Sequence, residues 1–174
     1  MTGLVRRSTM RAAVLALLVL AGTAYADDLK VGDRLAELES AKDAAGHAFK
    51  VKAIKGWRVL TFGASWCKPC AKELPAWDKI APDYKGKVTF IAVDLDSDMA
   101  TGKAFHKKLK LANMTLTYLN PDSAVAAKYG SDHMPTTVLA DPEGVIRYIR
   151  GGFEKGDVDG EVKKMKAELA KLLK

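Results

Sequence analysis

Trp66-Cys67-Lys68-Pro69-Cys70 holds the only two cysteines of a 174-residue chain. It closes an apolar run, Val59-Leu60-Thr61-Phe62-Gly63-Ala64, and opens a helical pattern, Ala71-Lys72-Glu73-Leu74. A strand that stops in a short loop and delivers a cysteine pair to a helix start is a redox arrangement. The positive end of the helix dipole favours a thiolate on Cys67. Cys70, about one turn further along, is close enough to attack a mixed disulfide. A structural disulfide and a metal site are the competing readings. A loop this short removes little entropy from the unfolded chain, so a purely structural bridge would stabilise weakly. A structural zinc site needs more ligands than one cysteine pair supplies.

Upstream, residues 1–26 read as a secretory signal peptide. Arg6, Arg7 and Arg11 form a basic region, Ala12 to Leu20 is apolar, and Ala24-Tyr25-Ala26 is a small-residue cleavage signal. The apolar run falls short of the ~20 residues that span a bilayer, so a cleaved leader is expected rather than a membrane anchor. No cysteine lies near the cleavage point to carry a lipid. The expected location is the periplasm, with residues 27–174 as one domain of 148 residues. Loss of three arginines takes the formal net charge from +7 to +4. The lysines are interleaved with acids, as in Glu161-Val162-Lys163-Lys164-Met165-Lys166-Ala167-Glu168, and no basic block carries aromatics. This excludes nucleic-acid binding as an expected function.

Downstream and between these landmarks the chain reads as α/β. Leu35–Glu39 and Phe49–Ala53 flank a turn at Asp43–Gly46 and predict an N-terminal β-hairpin. Arg58–Gly63 and Lys87–Asp94 are strong, nearly continuous apolar strands. A helix follows the cysteines to about Ile80, with Pro75 expected to kink it. Thr101–Lys110 is helical, Leu116–Leu119 is a short strand, and Asp122 or Ser123 caps a helix to about Tyr129. Thr136–Ala140 and Val145–Arg150 are strands joined by the turn Asp141-Pro142-Glu143-Gly144. Asp157 or Asp159 caps a final amphipathic helix. Strands that first alternate with helices and then close in a hairpin argue for a central mixed sheet flanked by helices.

Three groups of residues carry a family resemblance: Trp66-Cys67-Lys68-Pro69-Cys70, Glu73-Leu74-Pro75 and Met134-Pro135-Thr136-Thr137. In that order and context the chain resembles thioredoxin-fold thiol–disulfide oxidoreductases of the TlpA/ResA type. The resemblance implies a thioredoxin fold in which Ala100–Tyr129 is a central helix–strand–helix insert. It implies a cis-proline at Pro135 that faces the disulfide and offers backbone groups to an extended substrate strand. It also implies that Glu73, one helical turn beyond Cys70, takes the proton Cys70 must lose. Ordinary thioredoxins place a buried aspartate six residues before the first cysteine, where this chain has Thr61. That departure fits Glu73 as the acid.

Cys67 is thus the expected nucleophile and Cys70 the resolving thiol. Trp66 is expected to line the docking surface, Lys68 to add positive charge, and Pro69 to stiffen the loop into the helix. Met134 is expected to face the sulfurs and tune them. His47 and His106 read as surface residues. The expected activity is reduction of disulfides in other exported proteins, with cytochrome c maturation and copper-site assembly implied by the resemblance. No cofactor is expected, a membrane thiol reductase is expected to donate electrons, and the protein is expected to act as a monomer. Two alternatives stand beside this: a thiol oxidase of the same fold, and a Cu(I) chaperone using Cys67, Cys70 and His133 or Met134, since soft thiolate and thioether ligands suit that ion.

Overall fold

A computed structural model describes residues 29–130 and 134–174, so the expected signal peptide at 1–26 lies outside the described residues. Six strands appear among them: β1 (Lys42–Asp43), β2 (Trp57–Gly63), β3 (Val88–Asp94), β4 (Thr115–Tyr118), β5 (Thr136–Ala140) and β6 (Ile146–Gly151). Four α-helices accompany them: α1 (Cys70–Ile80), α2 (Met99–Leu109), α3 (Ala124–Gly130) and α4 (Val158–Leu172). The strands form one mixed sheet in the order β1-β4-β3-β2-β5-β6. β2, β3 and β4 are mutually parallel, and α1 and α2 make the crossovers that parallel neighbours require. β5 lies antiparallel to β2 and turns back into β6.

Burial on both faces explains why β2 reads as continuous apolar sequence. Val59 faces a cluster with Leu74 and Trp77 of α1, Phe105 of α2 and Met165 and Leu169 of α4. Leu60 and Phe62 face the opposite cluster, with Tyr129 of α3 and with Leu35, Leu38 and Val51 from the N-terminal segment. Tyr129 stacks on Phe62 at 5.1 Å and accepts a hydrogen bond from Ala36 N at 3.0 Å, tying that segment to α3. Thr61 and Gly63 alternate with Leu60 and Phe62, so they share the face of Val59, under α1. The expected insert is present as α2, β4 and α3.

Capping follows the short polar side chains. Asp98 Oδ1 and Oδ2 accept from Ala100 N and Thr101 N at the start of α2. Of the expected alternatives, Ser123 rather than Asp122 caps α3, through Ala126 N, and Asp157 rather than Asp159 caps α4, through Gly160 N. α1 runs on through Pro75 to Ile80.

The N-terminal hairpin is shorter than expected and shifted toward its turn. Asp43 Oδ1 accepts from Ala45 N and His47 N, and Asp43 N donates to His47 O, so the turn at Asp43–Gly46 is formed. Pairing reaches only to Lys42 against Ala48 and Phe49 N against Ala41 O. Val51–Ala53 is a 3-10 turn, and no strand runs over Leu35–Glu39. Leu35, Leu38 and Ala41 are all buried at a spacing of three, which a strand cannot place on one face. Glu37 joins the two segments by its side chain instead, accepting from Val51 N at 2.8 Å and Lys52 N at 3.3 Å.

Candidate active site

β2 ends at Gly63, and the chain leaves it through a loop held from the neighbouring strand. Asp96, just past β3, accepts from Ser65 N at 2.9 Å and from Ser65 Oγ at 2.8 Å. Cys67 N then donates to Ala64 O at 3.0 Å, and Pro69 already has helical backbone angles (φ −64, ψ −35). Pro69 O accepts from Lys72 N and Glu73 N, the first bonds of α1. No side-chain oxygen caps this helix. Cys70 N donates instead to Cys67 Sγ at 3.2 Å. In the reduced protein the same donor and the helix dipole would stabilise a Cys67 thiolate.

Cys67 and Cys70 are joined as a disulfide with Cα atoms 5.3 Å apart. Cys67 keeps 5% exposure and Cys70 none, the order expected for attacking and resolving sulfurs. Cys70 lies directly against the end of β2: a Cβ on Gly63 would sit 3.0 Å from its Sγ.

Beneath the pair lies a buried polar row. The sheet register sets Thr61 of β2 beside Thr137 of β5, and Thr137 beside Arg150 of β6. Glu73, three residues after Cys70 on α1, descends onto this row with no exposed surface. Thr137 Oγ1 donates to Glu73 Oε1 at 2.8 Å, and Thr61 Oγ1 lies 3.0 Å from Thr137 Oγ1. Thr137 has one hydroxyl proton; with that proton on Glu73, Thr61 must donate to Thr137. Glu73 Oε2 has no partner among the described residues. Burial pushes the Glu73 carboxyl up to about 7, against the opposing pull of the Thr137 hydroxyl, of Arg150 (Nη1 at 3.9 Å) and of the Trp77 indole. Trp77 Nε1 meets no acceptor in hydrogen-bond geometry among the described residues, so its help to the carboxylate is weaker than that of Thr137. A carboxyl poised near neutrality one helical turn from Cys70 is suited to proton exchange at physiological pH.

The other expected site residues fall as follows. Trp66 is 66% exposed, an unusual state for so large an apolar side chain, and it adjoins Cys67 in the loop. Lys68 is exposed and Pro69 half-buried at the start of α1. The Met134–Pro135 bond is cis. Pro135 O accepts from Gly152 N at 2.7 Å, so this carbonyl is already engaged within the fold. Met134 is half-buried and packs on the cluster containing Phe62 and Ala64. His133 lies outside the described residues. Among the described residues no group of three or more His, Cys, Asp or Glu side chains is placed to hold a metal ion.

Three contributors escape a sequence reading. Thr137 sits inside the Met134–Thr137 motif, but nothing local marks it as the donor to Glu73. Arg150 and Asp96 are distant in sequence and gain their places from strand order. His106 corrects an expectation: it is 2% exposed, not a surface residue. Phe105 and Leu109 define the inner face of α2, but His106 also turns inward at the flank, where Asp94 and Tyr118 end their strands. Its Nδ1 lies 3.3 Å from Tyr118 Oη and its Nε2 3.6 Å from Asp94 Oδ2. Burial lowers His106 to about 4 and raises Asp94 to about 7. Burial thus disfavours the charged form of each partner.

Comparison with known proteins agrees with this geometry. The model of the AhpC/TSA family matches residues 31–149. The chain is similar to the thioredoxin-like protein YneN of Bacillus subtilis, 32% identical over 114 residues covering 65% of this chain and 67% of YneN. It is also similar to the thiol-disulfide oxidoreductase ResA of Bacillus thuringiensis, 33% identical over 126 residues covering 71% of this chain and 72% of ResA. Among solved structures it resembles a Chlorobium tepidum protein described as the thiol:disulfide interchange protein DsbE, with a TM-score of 0.68 and 26% identity over 82% of this chain and 99% of that one. The match spans the sheet, the cysteine loop and α1, and on it the chain belongs to the AhpC/TSA family, as a thiol–disulfide oxidoreductase of thioredoxin fold.

Proposed function

We propose that the protein is exported to the periplasm and works there as a reductase of disulfides in other exported proteins. The observation that carries this reading is the buried Glu73 carboxyl on the same helix as Cys70, with its own proton affinity near neutrality. A resolving thiol with no exposure needs a nearby acceptor for its proton, because burial disfavours the thiolate. The basic and apolar stretch from Arg6 to Ala26 supports export. Among the described residues no helix is long and apolar enough to cross a membrane.

The reaction runs in two displacements. The Cys67 thiolate attacks one sulfur of the substrate disulfide; a Cys67–substrate bond forms and the other substrate sulfur leaves as thiolate. Glu73 then takes the Cys70 proton, and the Cys70 thiolate attacks Cys67 Sγ. The mixed disulfide breaks, the Cys67–Cys70 bond forms, and the second substrate sulfur leaves. The substrate gains two electrons and the enzyme loses two. A membrane thiol reductase restores the dithiol by supplying two electrons, with protons from solvent. The exposed Trp66 ring gives the substrate an apolar contact beside Cys67. With Pro135 O engaged by Gly152, the backbone of Met134 takes the pairing with an extended substrate strand. Lys68 favours the Cys67 thiolate by its charge. Substrates fitting this chemistry include apocytochrome c and copper-site assembly proteins, and the protein acts as a monomer.

Glu73→Gln tests the proton step. In single turnover against a mixed-disulfide substrate, release by Cys70 should slow by about 10²-fold or more at pH 6–7, while attack by Cys67 keeps its rate. An unchanged release rate across pH would remove Glu73 from the reaction.

A further inference from the structure

The row beneath the cysteines does not end at Glu73. Arg150 reaches between two acids on different helices. Its Nη1 lies 3.9 Å from Glu73 Oε1 on α1, and its Nη2 is bonded to Glu161 Oε2 on α4. Glu161 is itself buried, at 3% exposure, an uncommon place for a carboxylate unless it is paired. Its other oxygen accepts from Lys164 Nζ at 2.8 Å, and Lys164 is exposed. The Arg150 guanidinium is walled by aromatic rings, with its carbon 5.1 Å from the centre of Phe153 and 5.9 Å from that of Trp77. Nη1, the nitrogen nearer Glu73, has no hydrogen-bond partner among the described residues. The cation is thus locked to α4 and leans on Glu73 without bonding it.

We infer that Arg150 is a positioning residue for Glu73, and that Glu161 restrains it, so that α4 sets how tightly the acid beneath Cys70 holds its proton. This rests on Glu73 acting as proposed above. An unrestrained arginine beside a buried carboxylate would form a direct ion pair and strip Glu73 of its proton affinity. A buried carboxyl with no cation nearby would stay protonated far above neutrality. The shared geometry gives an intermediate result. The other groups around Glu73 do not substitute for it. Thr61 and Thr137 are neutral donors from β2 and β5, and Trp77 is a neutral donor on α1. Tyr148 of β6 is a phenol whose ionisation burial disfavours, and it feels Arg150, Glu73 and the α4 charges Lys164 and Glu168 together. Among the described residues Arg150 is the one cation within 4 Å of the Glu73 carboxyl.

The relay predicts opposite responses at its two ends. Removing Arg150 takes away a charge that favours ionised Glu73, so Glu73 should titrate at higher pH. Removing the Glu161 charge deletes a repelling carboxylate and frees Arg150 to close on Glu73, so Glu73 should titrate at lower pH. The experiment follows the 13C side-chain carboxyl signal of Glu73 against pH in the full, oxidised protein, with Glu73→Gln fixing the assignment. Arg150→Met should move the midpoint up and Glu161→Gln should move it down, each by half a pH unit or more, about threefold in ionised fraction at fixed pH. Arg150→Lys, which keeps the charge, should return most of the upward shift. A general loosening of the fold would move both variants the same way. If Arg150→Met does not fold, Glu161→Gln decides alone: a midpoint unchanged or raised overturns the inference. The two readings fail separately. Shifts of the stated signs together with full turnover by Glu73→Gln would leave the relay intact and remove the acid role. A catalytic defect in Glu73→Gln with no shift in either relay variant would do the reverse.

Discussion

Glu73 meets the solvent nowhere, and its proton affinity in the fold differs from that in the unfolded chain, so it must register in stability. Its carboxyl keeps its proton up to about 7 in the fold, against an ordinary 4.5. Between those values the folded state holds more protons than the unfolded one. The contribution of Glu73 is therefore fully present below pH 4.5 and is lost as pH rises through 7. Glu73→Gln is neutral throughout, so it should unfold close to wild type at pH 4.5 and resist denaturant better at pH 8. The difference should be on the order of 2–3 kcal/mol, measured by urea unfolding of the oxidised proteins at both pH values. Parallel curves would contradict the burial of this charge. The position of Glu73 was legible in the sequence because one helical turn separates it from Cys70. Its partners were not. Thr61 and Thr137 are 76 residues apart, and only the β2–β5 register brings them together.

At the scale of elements, the strands and helices that carry a strong period or a capping residue were legible nearly to their ends. β2, β3 and β5 owe this to continuous apolar runs, α1 to the cysteine pair that opens its amphipathic pattern, and α4 to an amphipathic face with Asp157 at its start. The N-terminal segment was not, because Leu35, Leu38 and Ala41 pack as turns and Glu37 replaces a ladder with side-chain bonds. α2 hides a different constraint. Helix propensity alone makes Gly102→Ala stabilising by about 1 kcal/mol. In the fold, a Cβ at Gly102 would lie 2.1 Å from Asp94 Oδ1, and Asp94 is 1% exposed with that oxygen holding Asp96 N at 3.0 Å. Gly102→Ala should therefore destabilise, by roughly 1–3 kcal/mol, as read from chemical denaturation. A gain in stability would mean that α2 does not pack on Asp94 as described. Disturbing Asp94 also bears on the active site, because Asp96 next to it holds Ser65 at the mouth of the cysteine loop.

At the scale of the whole molecule, one sheet serves two purposes. Its interior strands bury the apolar clusters on both faces. Near the end of β2, the neighbouring strands β2, β5 and the edge strand β6 align a row of polar side chains, Thr61, Thr137 and Arg150, under a cysteine pair at a helix start. Trp66–Cys70 alone read as a redox pair at a helix start, the family needed the Glu73–Pro75 and Met134–Thr137 motifs as well, and the row appeared only with the strand order. The direction of electron flow belongs to this scale, since it depends on the balance between the dithiol and disulfide forms of the whole fold. The reduction potential of Cys67–Cys70, equilibrated against glutathione or dithiothreitol, tests it most directly. A reductase requires a value near that of thioredoxin, about −270 mV, whereas a value near −120 mV would mark a strong oxidant and contradict the proposed direction.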